Sequence, residues 1–460
     1  MIGPLWTMLR SRRAAWRGRG RPGILHVLHD RGGGTEKFLL EVVDRTRARY
    51  RHSFLRILDD RWRITDPLGT EQRRDFRWRT PGGPEPGMAH FDYPKDATGS
   101  ARDWLAAVCA WLGVEFIHVH SLVGSGDDLL VLLRGTSLPY GYTAHDMYLP
   151  CPTVYLIDAD GRYCNATTDM ATCSACLAAQ GFAVDIAAWR RRYGEFLGGA
   201  RQVWAPSAWA RDTLRTYFPG LEVDVTAPEP NLALRATGLP SHHGLDLPDD
   251  GRRNIGVLGA IGAEKGARLI DAMADRIRAR QLPLRIVVIG YTDRSQRHLS
   301  DDGVLAVHGP YHVADVPRWL DFYRVGLVAF PTVWPETFGY TLSECWAAGR
   351  PALVPARGAL GERVCATAAG WVVDPWPDVD AMLDRCVQLT APEAAAMLAQ
   401  GAARAHAAAD AERSARAMPY DPYARVLESP PRGGRPQLDL RTVRAGAVRA
   451  AQSARKPRPA

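Results

Sequence analysis

The chain alternates short apolar runs with amphipathic helical stretches, does so twice, and breaks between the two passes. In the first pass GILHVLH (23–29) is followed by TEKFLLEVVDRTRARY, with Phe38, Leu39, Val42 and Val43 on one helical face. SFLRIL reads as a strand, ARDWLAAVCAWLGV as a helix, FIHVH as a strand, and GYTAHD closes another. QVWAPS is a further strand, and Ser207 stands where it would cap the helix AWARDTLRTYF. Residues 219–253 are rich in Pro, Gly and Asp, the composition of a linker. The second pass runs NIGVLGAI, KGARLIDAMADRIRAR, LRIVVIGY, VPRWLDFY, VGLVAFP, TLSECWAAG and PALVPA, with helical patterns around 378–389 and 391–416. Strands that alternate with helices make parallel sheets. The fold class is therefore α/β, with two doubly wound Rossmann-like domains facing a cleft and ligands at the carboxyl ends of the strands.

The predicted layout is a basic tail over 1–21, a first domain over 22–218 with a cysteine-rich insertion at 147–180, the linker, a second domain over 254–428, and a basic disordered tail over 429–460. Charge supports this division. The net charge is +8, while residues 1–21 carry +6 and residues 431–460 carry +7. The body between them is therefore mildly acidic. Basic ends of this kind are solvated or touch an anionic membrane surface; a nucleic-acid partner is not expected. No run of about 18 apolar residues occurs, and the N-terminus lacks the apolar region of a signal peptide. The sequence reads as cytoplasmic.

The stretch PTVWPETFGYTLSECWAAGRP carries the most chemistry. A buried strand leads into a loop, and a helix starts at its end. A helix start offers free N–H groups and a partial positive charge, which suits a diphosphate. Glu336 lies ahead of those amides and Glu344 beyond them, with Phe338, Gly339, Tyr340 and Thr341 between. Two carboxylates flanking an anion site suit a ligand with an anionic middle and hydroxyls at both ends, such as a nucleotide sugar. The bland alternative is a pair of glutamates favoured by the helix dipole.

This segment resembles the Glu-x7-Glu motif of the retaining glycosyltransferases of family 4, which have the GT-B fold. The similarity extends over about 23–415 and is most specific in IGVLGAIGAEKGARLI and PETFGYTLSECWAAGRPALVPARGALGERV. It implies a catalytic set of Glu336, Glu344, Lys265 and His145. Glu336 would hold the donor sugar, Glu344 the ribose, and Lys265 the leaving diphosphate. Gly33 and Gly34, in DRGGGTEKF, would join Phe338, Gly339, Tyr340 and Thr341 in binding the donor. His145, in YTAHDMYLP beside Asp146, would lie at the donor sugar. The resemblance also implies front-face attack, with the diphosphate accepting the acceptor's proton and the carboxylates acting as clamps. No catalytic metal is expected. One position departs from the pattern: Ala260 stands where the family usually has a basic residue, leaving Arg357 or Arg363 as possible substitutes.

Four of the eight cysteines, Cys151, Cys164, Cys173 and Cys176, fall within 26 positions. In a cytoplasmic chain such a set favours a structural zinc over disulfides; an iron–sulfur cluster and free thiols remain alternatives. Cys109, Cys345, Cys365 and Cys386 read as small buried apolar residues. The expected function is transfer of a sugar from a nucleotide-diphosphate sugar to a glycan or lipid-linked acceptor in cell-surface polysaccharide or glycoconjugate synthesis. A nucleotide-sugar 2-epimerase of the same fold and a non-catalytic sugar-nucleotide or nucleic-acid binder are the competing readings.

Overall fold

The computed structural model describes residues 21–30, 32–58, 61–67, 88–94, 101–232, 244–374 and 376–428. Both predicted tails, apart from Arg21, and part of the predicted linker lie outside the described residues.

The first sheet is built from β1 (Gly23–His29), β2 (Arg51–Ile57), β3 (Arg61–Pro67), β4 (Met88–Pro94), β5 (Val114–Val119), β6 (Tyr140–Thr143), β7 (Gln202–Ala205) and β8 (Asp224–Val225). Their order across the sheet is β4-β3-β2-β1-β5-β6-β7-β8. Strands β1, β2 and β5 to β8 pair in parallel. β3 and β4 form an antiparallel extension on one edge. This hairpin was not expected from the sequence. RWRITDP alternates apolar and polar residues over a short span, and its pairing exists only against an edge that other segments build first.

The second sheet holds β9 (Arg253–Ile261), β10 (Leu284–Thr292), β11 (His298–Leu299), β12 (Leu305–Val307), β13 (Leu327–Ala329), β14 (Ala352–Pro355) and β15 (Gly370–Val373). Its order is β11-β12-β10-β9-β13-β14-β15, parallel except for β11. The central strands are buried along nearly their whole length, as β10 shows from Leu284 to Gly290. Burial on both faces explains why they read as continuous apolar runs rather than alternating ones. The expected doubly wound architecture of two Rossmann-like domains is observed.

Leaving aside the antiparallel edge strand β11, the strand order in each sheet reverses once, at β1/β5 and at β9/β13. The loops after those strands open into the crevice where such folds take ligands. β1 leads to the glycine loop and β9 to the Lys265 loop; β13 leads to the loop that carries Glu336.

The sequence assigns everything up to 428 to the second domain, but the last described residues return to the first. The long helix Ala395–Ala417 packs on the second sheet's layer, and then the chain crosses over. Tyr423 is fully buried with Ile24, Phe38 and Phe116, and its hydroxyl meets His118 Nδ1 at 2.9 Å. Asp421 accepts hydrogen bonds from Tyr50 and Arg49. Among the described residues no helix is long and apolar enough to cross a membrane.

Candidate active site between the two sheets

The loop 331–339 ends at Gly339, whose φ of 81° lies in the left-handed region, and the helix Tyr340–Ala347 begins next. A Cβ on Gly339 would sit 2.3 Å from Leu360 Cδ2, so both the turn and the close approach require glycine. The backbone N–H groups of Tyr340 and Thr341, in the helix's first turn, have no acceptor within the helix. Glu336 lies just before this start. Its carboxylate is 3.8 Å from Lys265 Nζ, with the glutamate side chain 14% exposed. Two of the four expected catalytic residues therefore meet.

Lys265 is placed by the turn 262–266. Gly266 has φ 90° and abuts the carbonyl of Pro331, so the lysine loop and the glutamate loop are locked together. Ala260, at the end of β9, pairs with Tyr291 and offers no charge. Both proposed substitutes have partners of their own. Arg363 donates to the carbonyls of Phe338 and Gly339 at 3.1 and 3.0 Å, to Ser343 Oγ at 2.7 Å and to Glu412. Its guanidinium also lies 4.1 Å from the Phe338 ring centre. It braces the turn from behind. Arg357 donates to Asn165 of the cysteine-rich insertion.

Glu344 is fully buried. One oxygen pairs with Lys37 Nζ at 2.7 Å, and the other accepts the Tyr311 hydroxyl at 2.9 Å. Lys37 was missed as a site residue. It lies in the helix Gly34–Thr46 (GTEKFLLEVVDRT), directly behind the glycine loop. A lysine in a first helical turn opposes the helix dipole and calls for an anionic partner. That was the available signal, but the partner lies 307 positions away.

The first domain closes over this turn. A Cβ on Gly34 would lie 3.5 Å from the Tyr340 ring, while one on Gly33 would meet nothing within 4 Å. The glycine loop thus faces Tyr340 at one position and open space at the other. Thr337 donates to the backbone carbonyl of His145 at 2.8 Å. His145 follows β6, packs its ring 4.8 Å from Phe38 and hydrogen-bonds His120 at 3.2 Å. Burial pulls its pKa down to about 3, so it is neutral. Asp146 beside it is buried and its carboxyl is pushed up to about 6.

Glu41, one turn beyond Lys37, accepts the Tyr340 hydroxyl at 3.2 Å across the domain boundary. Burial pushes its carboxyl up to about 7. Between the ordinary carboxylate value and about 7 the folded protein holds a proton that the unfolded chain has released. This contribution to stability is fully present below about pH 4.5 and is lost as pH rises through about 7. Glu41→Gln, which mimics the protonated acid, is expected to raise the melting temperature at about pH 8 and leave it nearly unchanged at about pH 5. Equal shifts at both values would refute the assignment.

The insertion 147–180 lies along one edge of the crevice, with the Tyr155 ring 4.9 Å from that of Trp334. Its helix Met170–Ala179 is capped by Asp169, which accepts from Thr172 N. Arg190 Nη2 donates to Cys173 Sγ at 3.2 Å, and Gln180 donates to Cys176 Sγ at 3.2 Å. Cys151 lies 3.4 Å from Thr153 Oγ1, and burial pushes the Cys151 and Cys164 thiols up. Among the described residues, three metal-ligand atoms come within 4.8 Å of one another at His26, His118 and His120, not at the cysteines. Of the four scattered cysteines, Cys109, Cys345 and Cys386 are buried as expected, whereas Cys365 is exposed.

Residues 252–391 match the family described as glycosyl transferases group 1. Solved structures align along nearly the whole chain. Anabaena Alr3699/HepE in complex with UDP-glucose aligns with a TM-score of 0.52 at 13% identity, over 94% of this chain and 99% of that one. Sucrose-phosphate synthase (tll1590) from Thermosynechococcus elongatus aligns with a TM-score of 0.51 at 17% identity, over 86% and 98%. A glycosyltransferase from Rickettsia africae ESF-5 gives 0.51 at 11% identity, over 95% and 100%. The fold is GT-B. No curated protein sequence matches this chain. Within the GT-B frame the family match covers the domain that carries Lys265, Glu336 and Glu344, while Lys37 and His145 come from the domain outside it.

Proposed function

We propose that this GT-B chain is a retaining glycosyltransferase that moves a sugar from a nucleoside-diphosphate sugar to a glycan or lipid-linked acceptor. The observation that carries this reading is the arrangement around the helix start at Tyr340. Two carboxylates flank free amides, and each carboxylate has its own lysine. A nucleotide sugar fits that order of charges. The diphosphate would take the amides and Lys265, the sugar hydroxyls Glu336, and the ribose hydroxyls Glu344. Bound donor would displace Lys37 from Glu344. Lys37 would then supply the second cation that Ala260 does not, stabilising the leaving diphosphate as charge develops on it. The family match over 252–391 and the UDP-glucose complex of the aligned HepE support the donor class.

The test is thermal shift against a panel of nucleotide sugars and nucleoside diphosphates, followed by donor turnover. Stabilisation by one donor, with turnover dependent on Lys265 and Lys37, is expected. Stabilisation without any turnover would leave a binding protein; no stabilisation by any nucleotide would refute the reading. The role in cell-surface glycan synthesis, the cytoplasmic location and membrane contact through the basic ends belong to the same proposal.

The insertion carries a second proposal, one structural zinc held by Cys151, Cys164, Cys173 and Cys176. Its support is that Cys151, Cys164 and Cys173 are near enough to act on one another electrostatically, with Arg190 donating to Cys173 Sγ, a cation suited to the excess negative charge of thiolates. Zinc requires the sulfurs to turn toward one another and lose their protons. Metal analysis of protein purified without a metal-affinity tag is expected to give about one zinc per chain, lowered by Cys173→Ser. Reduced, folded protein without zinc would refute this.

A further inference from the structure

One face of the first sheet carries a chain of buried imidazoles. His26 on β1 lies opposite His118 on β5 and Phe54 on β2. His52 precedes Phe54 by two positions and His120 follows His118 by two, so all four rings share that face. His26, His52, His118 and His120 are each at most 1% exposed. His26 Nε2 is 2.9 Å from His52 Nδ1, His26 Nδ1 is 3.0 Å from His120 Nε2, and His120 Nδ1 is 3.2 Å from His145 Nε2. At the far end His52 Nε2 is 3.2 Å from Thr46 Oγ1.

We propose that Thr46, His52, His26 and His120 form a hydrogen-bond relay that fixes His145 as the Nε2–H tautomer, leaving its Nδ1 as an acceptor for a hydroxyl of the sugar substrate. The derivation starts at Thr46. Its hydroxyl lies 2.5 Å from the carbonyl of Val42, a separation two oxygens hold only with a hydrogen between them. That hydrogen is the only one the hydroxyl has. Toward His52, Thr46 can therefore only accept, and His52 Nε2 carries the proton.

A neutral imidazole has one donor and one acceptor. Desolvation favours the neutral state here: burial holds His26 and His120 well below the usual histidine value and pulls His52 and His145 down to about 3. His52 Nδ1 is then an acceptor, and His26 Nε2–H donates to it. His26 Nδ1 accepts in turn from His120 Nε2–H, and His120 Nδ1 accepts from His145 Nε2–H. The direction set by one threonine passes through three rings to the crevice. His118 stands beside the relay, bonded to Thr143 and Tyr423.

His145 Nδ1 has no hydrogen-bond partner among the described residues, and the residue's own carbonyl already holds Thr337 of the second domain. A lone pair at that position accepts from a hydroxyl and repels a phosphate oxygen. The relay thus sets which part of a donor His145 can take. This step rests on the proposed function, whereas the tautomer does not.

The experiment is long-range 1H–15N correlation on the full chain with 15N-labelled histidine, His145 being identified by the signal lost in His145→Gln. The expected result is a protonated Nε2 and a bare Nδ1 for His145 in the wild type. Thr46→Val removes the acceptor that orients the relay and should mix the two tautomers at His145, and Thr46→Ser should restore the single form. Nucleotide-sugar affinity should fall roughly two- to tenfold in Thr46→Val, the range of one hydrogen bond, with nucleoside diphosphate affinity unchanged.

A wild-type His145 protonated on Nδ1, or one indifferent to Thr46→Val, would overturn the relay. Tight binding of Zn2+ abolished by His26→Gln would overturn it too, because a metal needs the lone pairs that the relay uses. If the tautomers behave as stated and no nucleotide sugar binds, the proposed function fails and the relay stands.

Discussion

Gly266→Ala is expected to destabilise the protein by about 2–5 kcal/mol, combining left-handed strain with overpacking. The residue has φ 90°, and an added Cβ would come 1.7 Å from the carbonyl oxygen of Pro331. That oxygen belongs to backbone that cannot swing aside as a side chain would. Gly251 provides the control, because it has φ 77° and nothing within 4 Å of a Cβ. Gly251→Ala should show the conformational strain alone, about 1–2 kcal/mol. Denaturant midpoints of the two variants measure the difference; equal losses would mean that the loops around Lys265 and Glu336 can separate. The soluble fraction of Gly266→Ala should also lose donor binding, since this contact sets the distance between those two residues.

Glu336→Ala and Glu344→Ala are expected to fail differently. On the proposed reading Glu344 holds the ribose, remote from the bond that breaks and bound similarly in ground and transition states. Its loss should raise the donor KM more than it lowers kcat, by roughly 1.5–3 kcal/mol in kcat/KM. The change would also strand the Tyr311 hydroxyl, whose present acceptor is that carboxylate. Glu336 would touch the sugar as charge develops, so its loss should mainly depress kcat. Nucleoside diphosphate lacks the sugar, and should bind the Glu336 variant almost normally and the Glu344 variant poorly. Equal binding to both would end the two-clamp assignment.

The alternation of apolar runs and amphipathic helices was legible because buried parallel strands need no partner-specific pattern. GILHVLH and LRIVVIGY announce themselves by composition. The helix start at Tyr340 was legible too, from a glycine flanked by aromatics after a buried strand. The cap at Ser207 is observed as read, its hydroxyl accepting from Ala210 N at 3.1 Å. What could not be read depends on register and on contacts between domains. His26, His52, His118 and His120 are ordinary residues in four places until the pairing of β1 with β2 and β5 puts them side by side. Nothing in the sequence ties Lys37 to Glu344, which lies 307 positions away in the other domain. The sequence offers Arg363 as a substitute cation for the diphosphate, whereas in the fold its hydrogens are directed to the turn it supports.

The return of residues 421–428 to the first sheet bears on the order in which the molecule is made. Tyr423 seals the His118 side of a sheet whose strands leave the ribosome some 200 to 400 residues earlier. Through all of that synthesis the nascent first half lacks a piece of its interior, and His118 lacks the phenol that later covers it. Folding of the two halves therefore cannot run as two independent events in sequence. The first can only be completed after the second has been translated, so a chain halted between the last strand of the second sheet and Tyr423 leaves both sheets present and the first of them open.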